Sequence, residues 1–441
     1  MIENNYPKIL IFGQPFNDFS GGGITLSNLF KGWPKDRIAV ASIGNLLHRT
    51  TTDVCNVNYQ LGNKEQRWRF PFNLIQRSFP SGLMSFNKQE SLRPISYKTN
   101  IRHILVDKFF YPFIHWLGLF HCLSKISLSQ HFKEWLSIYQ PEILYIQVTT
   151  REGILFSIQL CDYLRIPSAI HNMDDWPSTI SKNGLFKKYW REKIDKEFRQ
   201  LLNRMDLYLS ISNAMTSEYL DRYNKTFKAF HNPIEIESWQ PYCKANIKLN
   251  YDHVKILYIG RIGIANKHSI YSFANAISQY KINQYKIDLD IFTSDDDTRD
   301  SKIISNFNNV RILPPVKHDM IPILLTEYDL LLLPLDFTKT GFKYAQYSIP
   351  TKASEYMISG TPILVFAPKE TAISKFCSEH ECGHCVIEQS QERINSAIHF
   401  LISNEEYRKK ISHNAVKLAK ELFDAQKVRE EFQKLLINIS K

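Results

Sequence analysis

Apolar residues along this chain fall into two alternating kinds of segment. One kind is a short, almost unbroken apolar run, at residues 8–13, 37–42, 141–147, 166–170 and 206–211, and later at 254–260, 286–293, 310–313, 329–335 and 362–366. The other kind repeats its apolar positions every three or four residues, as in 152–164, 185–202, 269–278, 350–360, 391–401, 405–422 and 425–437. Short continuous runs read as strands buried on both faces, and the longer periodic segments as the helices that cover them. The alternation predicts an α/β protein built on parallel sheets. Residues 234–252 are polar, contain Pro241 and show no clear period, so they predict a join between two domains. The domains are then 1–240, with a less regular insertion at about 55–135, and 250–420, followed by a final helix over 421–441.

Composition narrows the class. At 441 residues, 44% hydrophobic and 22% charged, the chain can bury two ordinary cores. It has no apolar run of the roughly 18 residues that a transmembrane helix needs, and its first residues, Met-Ile-Glu-Asn-Asn, do not resemble a signal peptide. Seven scattered cysteines fit a reducing compartment, so the expected location is cytoplasmic. The net charge of +11 is concentrated: residues 55–133 hold eleven Lys and Arg against three acids, interleaved with Trp68, Phe70, Phe72, Phe86, Phe109, Phe113 and Trp116. Cations mixed with bulky aromatics suit an anionic membrane surface, or a lipid-linked acceptor lying on one, better than a nucleic acid. A core with a solvated rim would carry the same mixture.

Candidate chemistry gathers where strands end. In open parallel sheets, ligands bind beyond the carboxyl ends of strands, against the first turns of the next helices. Between the runs at 329–335 and 362–366, helical spacing puts Ala353, Met357 and Ile358 on one side and leaves Lys352 and Glu355 elsewhere, with Gly360 and Pro362 closing the helix. Lys352 suits an anion and Glu355 suits hydroxyls, although a solvated helix face would also hold them. Arg261 and Lys267 flank the turn after the run at 254–260, an arrangement suited to a diphosphate or to two exposed loop cations. Ser20-Gly21-Gly22-Gly23 follows the first strand and opens a helix, where backbone N–H groups could meet a phosphate or a sugar. His171, Asp174 and Asp175 end another strand, either as a polar site or as a cap beside a packed histidine. Gly341 and Lys343 lie in a linker, 335–349, whose length suggests mobility above the site. Cys377-x-x-His380-x-Cys382-Gly-His384-Cys385 invites a zinc reading, but no second cysteine pair follows, so no metal is expected.

The motif Ser348-x-Pro350-x-Lys352-x-x-Glu355-Tyr-Met-x-x-Gly360-x-Pro362 resembles the donor-binding signature of GT-B glycosyltransferases, specifically retaining family 4. The spacing Gly260-Arg261 to Lys267 resembles that family's pair facing the leaving diphosphate. The resemblance implies two Rossmann-like α/β/α domains facing an interdomain cleft, with the last helix returning to the first domain. It implies Arg261, Lys267 and His171 in the catalytic set. Gly21, Gly22, Gly23, Arg261, Lys267, Tyr347, Ser348, Lys352 and Glu355 would hold the donor, and Asp174 and Asp175 would lie on the acceptor side. Glu355 matches the residue that holds the donor ribose, whereas Tyr347 stands where the family usually has a second glutamate, near the donor sugar. The implied reaction moves a sugar from a UDP- or GDP-linked donor to a hydroxyl of a glycan or lipid-linked saccharide, without cofactor or metal, on the inner face of the cytoplasmic membrane. A sugar-nucleotide epimerase or hydrolase, or a non-catalytic relative, are the rival readings. The basic-aromatic segment weighs against the first and the retained Arg261, Lys267 and Glu355 against the second.

Overall fold

The apolar runs become parallel strands because each is covered on both faces. The computed structural model describes residues 6–44, 46–84, 109–180, 184–249, 253–280, 285–295 and 297–441. Phe86, Lys88, Arg93, Lys98, Arg102 and Lys108 of the expected basic insertion lie outside these residues. The chain divides into two units, Met1–Phe230 with Arg429–Lys441, and His231–Val428.

The first unit contains β1 (Ile9–Phe12), β2 (Ile38–Ile43), β3 (Val57–Leu61), β4 (Gln66–Trp68), β5 (Gly82–Met84), β6 (Ser124–Ile126), β7 (Ile143–Ile146), β8 (Ser168–Asn172), β9 (Leu207–Ser210) and β10 (Lys228–Ala229). Eight of them form one sheet in the order β10-β9-β8-β7-β1-β2-β3-β5, while β4 and β6 pair separately. All neighbours in the large sheet are parallel except β5 against β3. The stretch expected as an insertion therefore starts inside the main sheet. Polar Asn58 and Gln60 lie fully buried on β3 and break the apolar run that would have marked the strand. At the centre of the sheet, β1 and β7 approach so closely that a Cβ at Gly13 would lie 1.8 Å from the Gln147 carbonyl oxygen, with φ at +112°. Only glycine fits that turn. The end of the chain completes this core: Phe432 packs edge-on against Phe30 and Tyr145, and the Gln433 amide donates to the carbonyls of Leu29 and Lys31.

The second unit contains β11 (His253–Ile259), β12 (Lys286–Phe292), β13 (Val310–Leu313), β14 (Leu330–Pro334), β15 (Ile363–Phe366) and β16 (His384–Val386), all parallel, in the order β13-β12-β11-β14-β15-β16. This is the doubly wound order, with its direction reversing between β11 and β14. Alternate residues serve opposite faces. Ile256, Tyr258, Leu330, Leu332, Leu364 and Phe366 join the helices Lys267–Ser278 and Gln391–Ser403 in one core. Leu257, Leu331, Leu333, Ile363 and Val365 join Lys352–Ser359 and Glu405–Leu422 in the other.

The expected boundaries move at both crossings. Instead of a linker over 234–252, the division falls at Phe230/His231. The reason is that Trp239 is buried in the second core, the Lys244 N–H donates to the Ser359 carbonyl at 2.8 Å, and Ile234 bridges to Asp424. The same bridge, with the Ala425 N–H on the Ile234 carbonyl, holds the chain in the second unit to Val428 rather than 420.

Candidate functional site

Strand order places the most promising chemistry of the second unit at the reversal between β11 and β14. Tyr258, one residue before the end of β11, is fully buried, yet its hydroxyl is shared by three groups. It donates to the Arg261 carbonyl at 2.7 Å and receives the Asn266 amide at 2.6 Å and Lys352 Nζ at 3.0 Å. Lys352 also lies over the Tyr258 ring, 4.1 Å from its centroid. Gly260, with φ at +139°, leaves room for this ammonium: a Cβ there would sit 2.1 Å from Lys352 Nζ. Glycine is thus required twice, for the backbone and for the lysine.

Lys352 opens the helix Lys352–Ser359, which Gly360 terminates in the left-handed conformation. Burial pushes the Lys352 pKa down to about 7, against the opposing pull of Glu355. Burial lifts the Glu355 carboxyl, and His318 and Lys352 draw it back. Tyr356, on the same helix, accepts the Ile259 N–H at 3.0 Å and so fixes the helix against the end of β11. Tyr347 and Ser348 occupy the turn before this helix, where the Ser348 N–H donates to the Ala345 carbonyl. The preceding linker is a helix, Lys339–Ala345, capped by Thr338. Gly341 serves packing there, since a Cβ would come within 2.3 Å of the Asp336 side chain. The linker 335–349 thus contains a helix packed on Asp336, where the sequence pattern marked none.

Arg261 is 72% exposed and touches Asp295 at 3.5 Å, and Lys267 touches Asp300 at the same distance. Both pairs are long and solvated, so each cation is held loosely and can turn to an anion. Asp336 was not anticipated. Fully buried, it accepts the Ser269 N–H at 2.8 Å in the first turn of Lys267–Ser278. Burial raises its pKa, opposed by the Ser269 N–H and by His268. The carboxylate fills one donor of that helix end, leaving Arg261 and Lys267 as the mobile positive groups. Tyr258, Asn266, Asp336 and Tyr356 are the residues that sequence reasoning missed. Of these, Tyr258 alone had a signal, being a polar-tipped residue in an otherwise aliphatic run.

In the first unit, Gly21, Gly22 and Gly23 form the opening turn of the helix Gly21–Phe30, capped by Ser20. Gly23 is closed to any side chain because a Cβ would fall 2.2 Å from the Asn17 amide, while Gly22 faces Met173 and Gln14 at ordinary contact distance. His171 is buried on β8, its Nδ1 2.6 Å from the Tyr145 hydroxyl. Burial drives its pKa down to about 3, against a smaller pull from the Ser210 backbone, so the imidazole is neutral at working pH. The carboxylate of Asp175, 2% exposed, binds Arg222 at 2.8 and 3.1 Å and the Tyr219 hydroxyl at 3.0 Å. This places Asp175 in a buried ion pair. Next to His171, the Asn172 side-chain amide is buried without a hydrogen-bond partner among the described residues.

Cys377 and Cys382 lie in the second core, where burial and each other's proximity push the Cys377 thiol well above its ordinary range. His384 Nδ1 faces the Tyr407 hydroxyl at 3.3 Å and His380 packs on Phe376. No His/Cys/Asp/Glu group among the described residues has the arrangement of a metal site.

Residues 244–418 match the profile of the family described as glycosyl transferases group 1. No curated protein sequence matches the chain. HepE from Anabaena, crystallised with UDP and glucose, superposes with a TM-score of 0.60 at 13% identity, over 98% of this chain and 99% of that one. Sucrose-phosphate synthase from Thermosynechococcus elongatus gives 0.61 at 14% identity, over 97% of each chain. WaaG, a glycosyltransferase involved in lipopolysaccharide biosynthesis, gives 0.55 at 11% identity, over 97% and 99%. At these identities the likeness is one of fold, the GT-B fold of two Rossmann-like units.

Proposed function

We propose, for a glycosyltransferase whose second unit is a group 1 domain, that it transfers a sugar from a nucleotide-sugar to a hydroxyl of a glycan or lipid-linked saccharide, with retention of anomeric configuration. The observation that carries this reading is that the Lys352 ammonium and the Asn266 amide meet on the Tyr258 hydroxyl, which in turn holds the Arg261 carbonyl, at the point where the second sheet reverses. Such a cluster fits a diphosphate, whose negative charge grows as the bond to the sugar breaks. Lys352 is held in place by Tyr258, and the loosely paired Arg261 and Lys267 can turn to that charge, so that together they would stabilise it without a metal ion. Glu355 would hold the ribose hydroxyls, and Ser348 and Tyr347 would border the sugar. Gly22, Gly23 and the neutral His171 belong to the first unit's share of the reaction. HepE has been crystallised with UDP-glucose, which makes that donor the first to test.

The exposure of Phe70, Phe109, Phe113 and Trp116, in a stretch of sequence rich in Lys and Arg, supports peripheral contact with an anionic membrane. No helix among the described residues is long and apolar enough to cross a membrane. Acceptors carried on lipids, as in cell-surface polysaccharide assembly, would meet the enzyme there.

The test is thermal melting of the purified chain with UDP-, GDP-, ADP- and CMP-sugars. One donor at a hundred times its Kd should stabilise by about 2.7 kcal/mol, a shift of roughly 5 °C or more. No shift with any donor would overturn the reading in favour of a non-catalytic relative. With the donor known, NMR of the first-formed product should show the donor's anomeric configuration, and inversion would refute retention.

Lys352 adds a pH signature. With a free-state pKa of about 7, it should gain a proton when a diphosphate arrives and raises that pKa. The charged contact is then complete below about pH 7 and is lost as pH climbs through the raised bound-state pKa. Calorimetry at pH 8 in buffers of different ionisation heat should report proton uptake on donor binding. Identical heats in all buffers would remove Lys352 from the phosphate site.

A further inference from the structure

A cavity of about 630 Å³ lies wholly within the first unit, at the carboxyl end of β7, between the helix Arg151–Leu164 and the β4/β6 pair. Its walls are aromatic: Trp68 and Tyr111 meet edge to face at 6.3 Å, and His115 stacks on Phe120 at 4.0 Å. Its polar end holds Gln66 and Glu152. Glu152 Oε1 accepts the Gln66 amide at 3.3 Å, while Oε2 is buried without a hydrogen-bond partner.

The neighbouring cation does not serve this carboxyl. Arg151 Nε and Nη2 both bind Glu197, at 2.6 Å each, and Nη1 donates to the His121 carbonyl. Burial alone lifts the Glu152 pKa to about 7, opposed only by Gln66. A buried polar atom without a partner needs an explanation, and here the adjoining cavity supplies one: a ligand there would complete the bonding.

The chemistry of the cavity selects its occupant. The Glu152 carboxyl accepts from a hydroxyl or amide when ionised and can also donate to a hydroxyl when protonated, so a ligand hydroxyl suits either form. Flat aromatic faces favour a ligand with an apolar face of its own, and the volume is that of a small-molecule site. A pyranose ring has both properties: a hydrophobic C–H face and hydroxyls at its edge.

We propose that this cavity holds a pyranose ring of the acceptor, with Glu152 and Gln66 binding its hydroxyls and Trp68 and Tyr111 flanking its apolar face. This rests on the glycosyl-transfer reading above. A saccharide ring could also come from the donor, but none of the residues that line the cavity belongs to the donor set named above, so the acceptor is the assigned source. Glu152 is thereby a specificity-determining residue, since a site built to bond a hydroxyl rejects analogues that lack it.

Saturation-transfer NMR on the full chain, with the methyl pyranosides of glucose, galactose, mannose and N-acetylglucosamine, tests this. At least one glycoside should show contact. Glu152→Ala and Trp68→Ala should each weaken its binding tenfold or more, and Glu152→Gln, which keeps an acceptor oxygen, should weaken it less. A nucleotide-sugar thermal shift that persists in both alanine variants shows that they fold and that the donor site is separate. Failure of every glycoside to bind, or binding indifferent to both alanine changes, overturns the cavity assignment and leaves the transferase reading intact. Loss of donor response in the unaltered chain sinks the transferase reading instead.

Discussion

Converting both Arg261 and Lys267 to alanine is expected to slow sugar transfer by about a hundredfold or more, with each single change giving a large part of the loss. Removing one well-aimed charge-stabilising donor costs about 3–4 kcal/mol of barrier. Both side chains reach their carboxylate partners only at 3.5 Å, in solvated pairs. Their loss should therefore leave the fold intact, because exposed pairs contribute at most about 1 kcal/mol. Initial rates with the donor identified by melting give the measurement, and the donor-induced melting shift should also vanish in the double variant. Activity within threefold of the unaltered chain would show that the diphosphate is stabilised elsewhere, and Lys352 would be the next residue to change.

The largest effect on stability is expected at Arg222, 21% exposed at its side chain. Arg222→Ala would strand the carboxylate of Asp175 among Tyr219, Tyr223 and Phe198, and breaking one side of a buried pair costs about 3–5 kcal/mol. Melting should fall by roughly 10 °C. The control is Glu218→Ala, which removes only the outer i,i+4 partner and should cost about 0.5 kcal/mol. Asp175→Asn should also lower melting. If it instead left melting unchanged and raised only the acceptor KM, Asp175 would belong to the acceptor site, as its position after β8 had suggested.

Asp175 and Arg261 differ in how far along the chain their surroundings lie. Arg261 and Lys267 were visible because a short turn after a strand is a local event: few residues separate the cations, and the strand and helix on either side follow from period alone. The same holds for Lys352 and Glu355, one turn into a helix closed by Gly360. Asp175 looked equally chemical, yet its partner Arg222 is 47 residues away, and nothing local announces the pair.

The sequence by itself determined that this chain is two α/β units built on parallel strands, because strands covered on both faces are mostly apolar. It also picked out the motif from Ser348 to Pro362, whose residues lie close together along the chain. Tertiary structure alone decided the order of strands, which puts Tyr258 at the meeting point of Lys352, Asn266 and Arg261. It alone placed β3 in the main sheet despite its buried Asn58 and Gln60, and returned Phe432 to the core of the first unit. It alone brought Glu152 beside Gln66, which is 86 residues away along the chain. The physical reason is the same in each case: periodicity records which face of an element is buried, but only the folded chain decides what it is buried against.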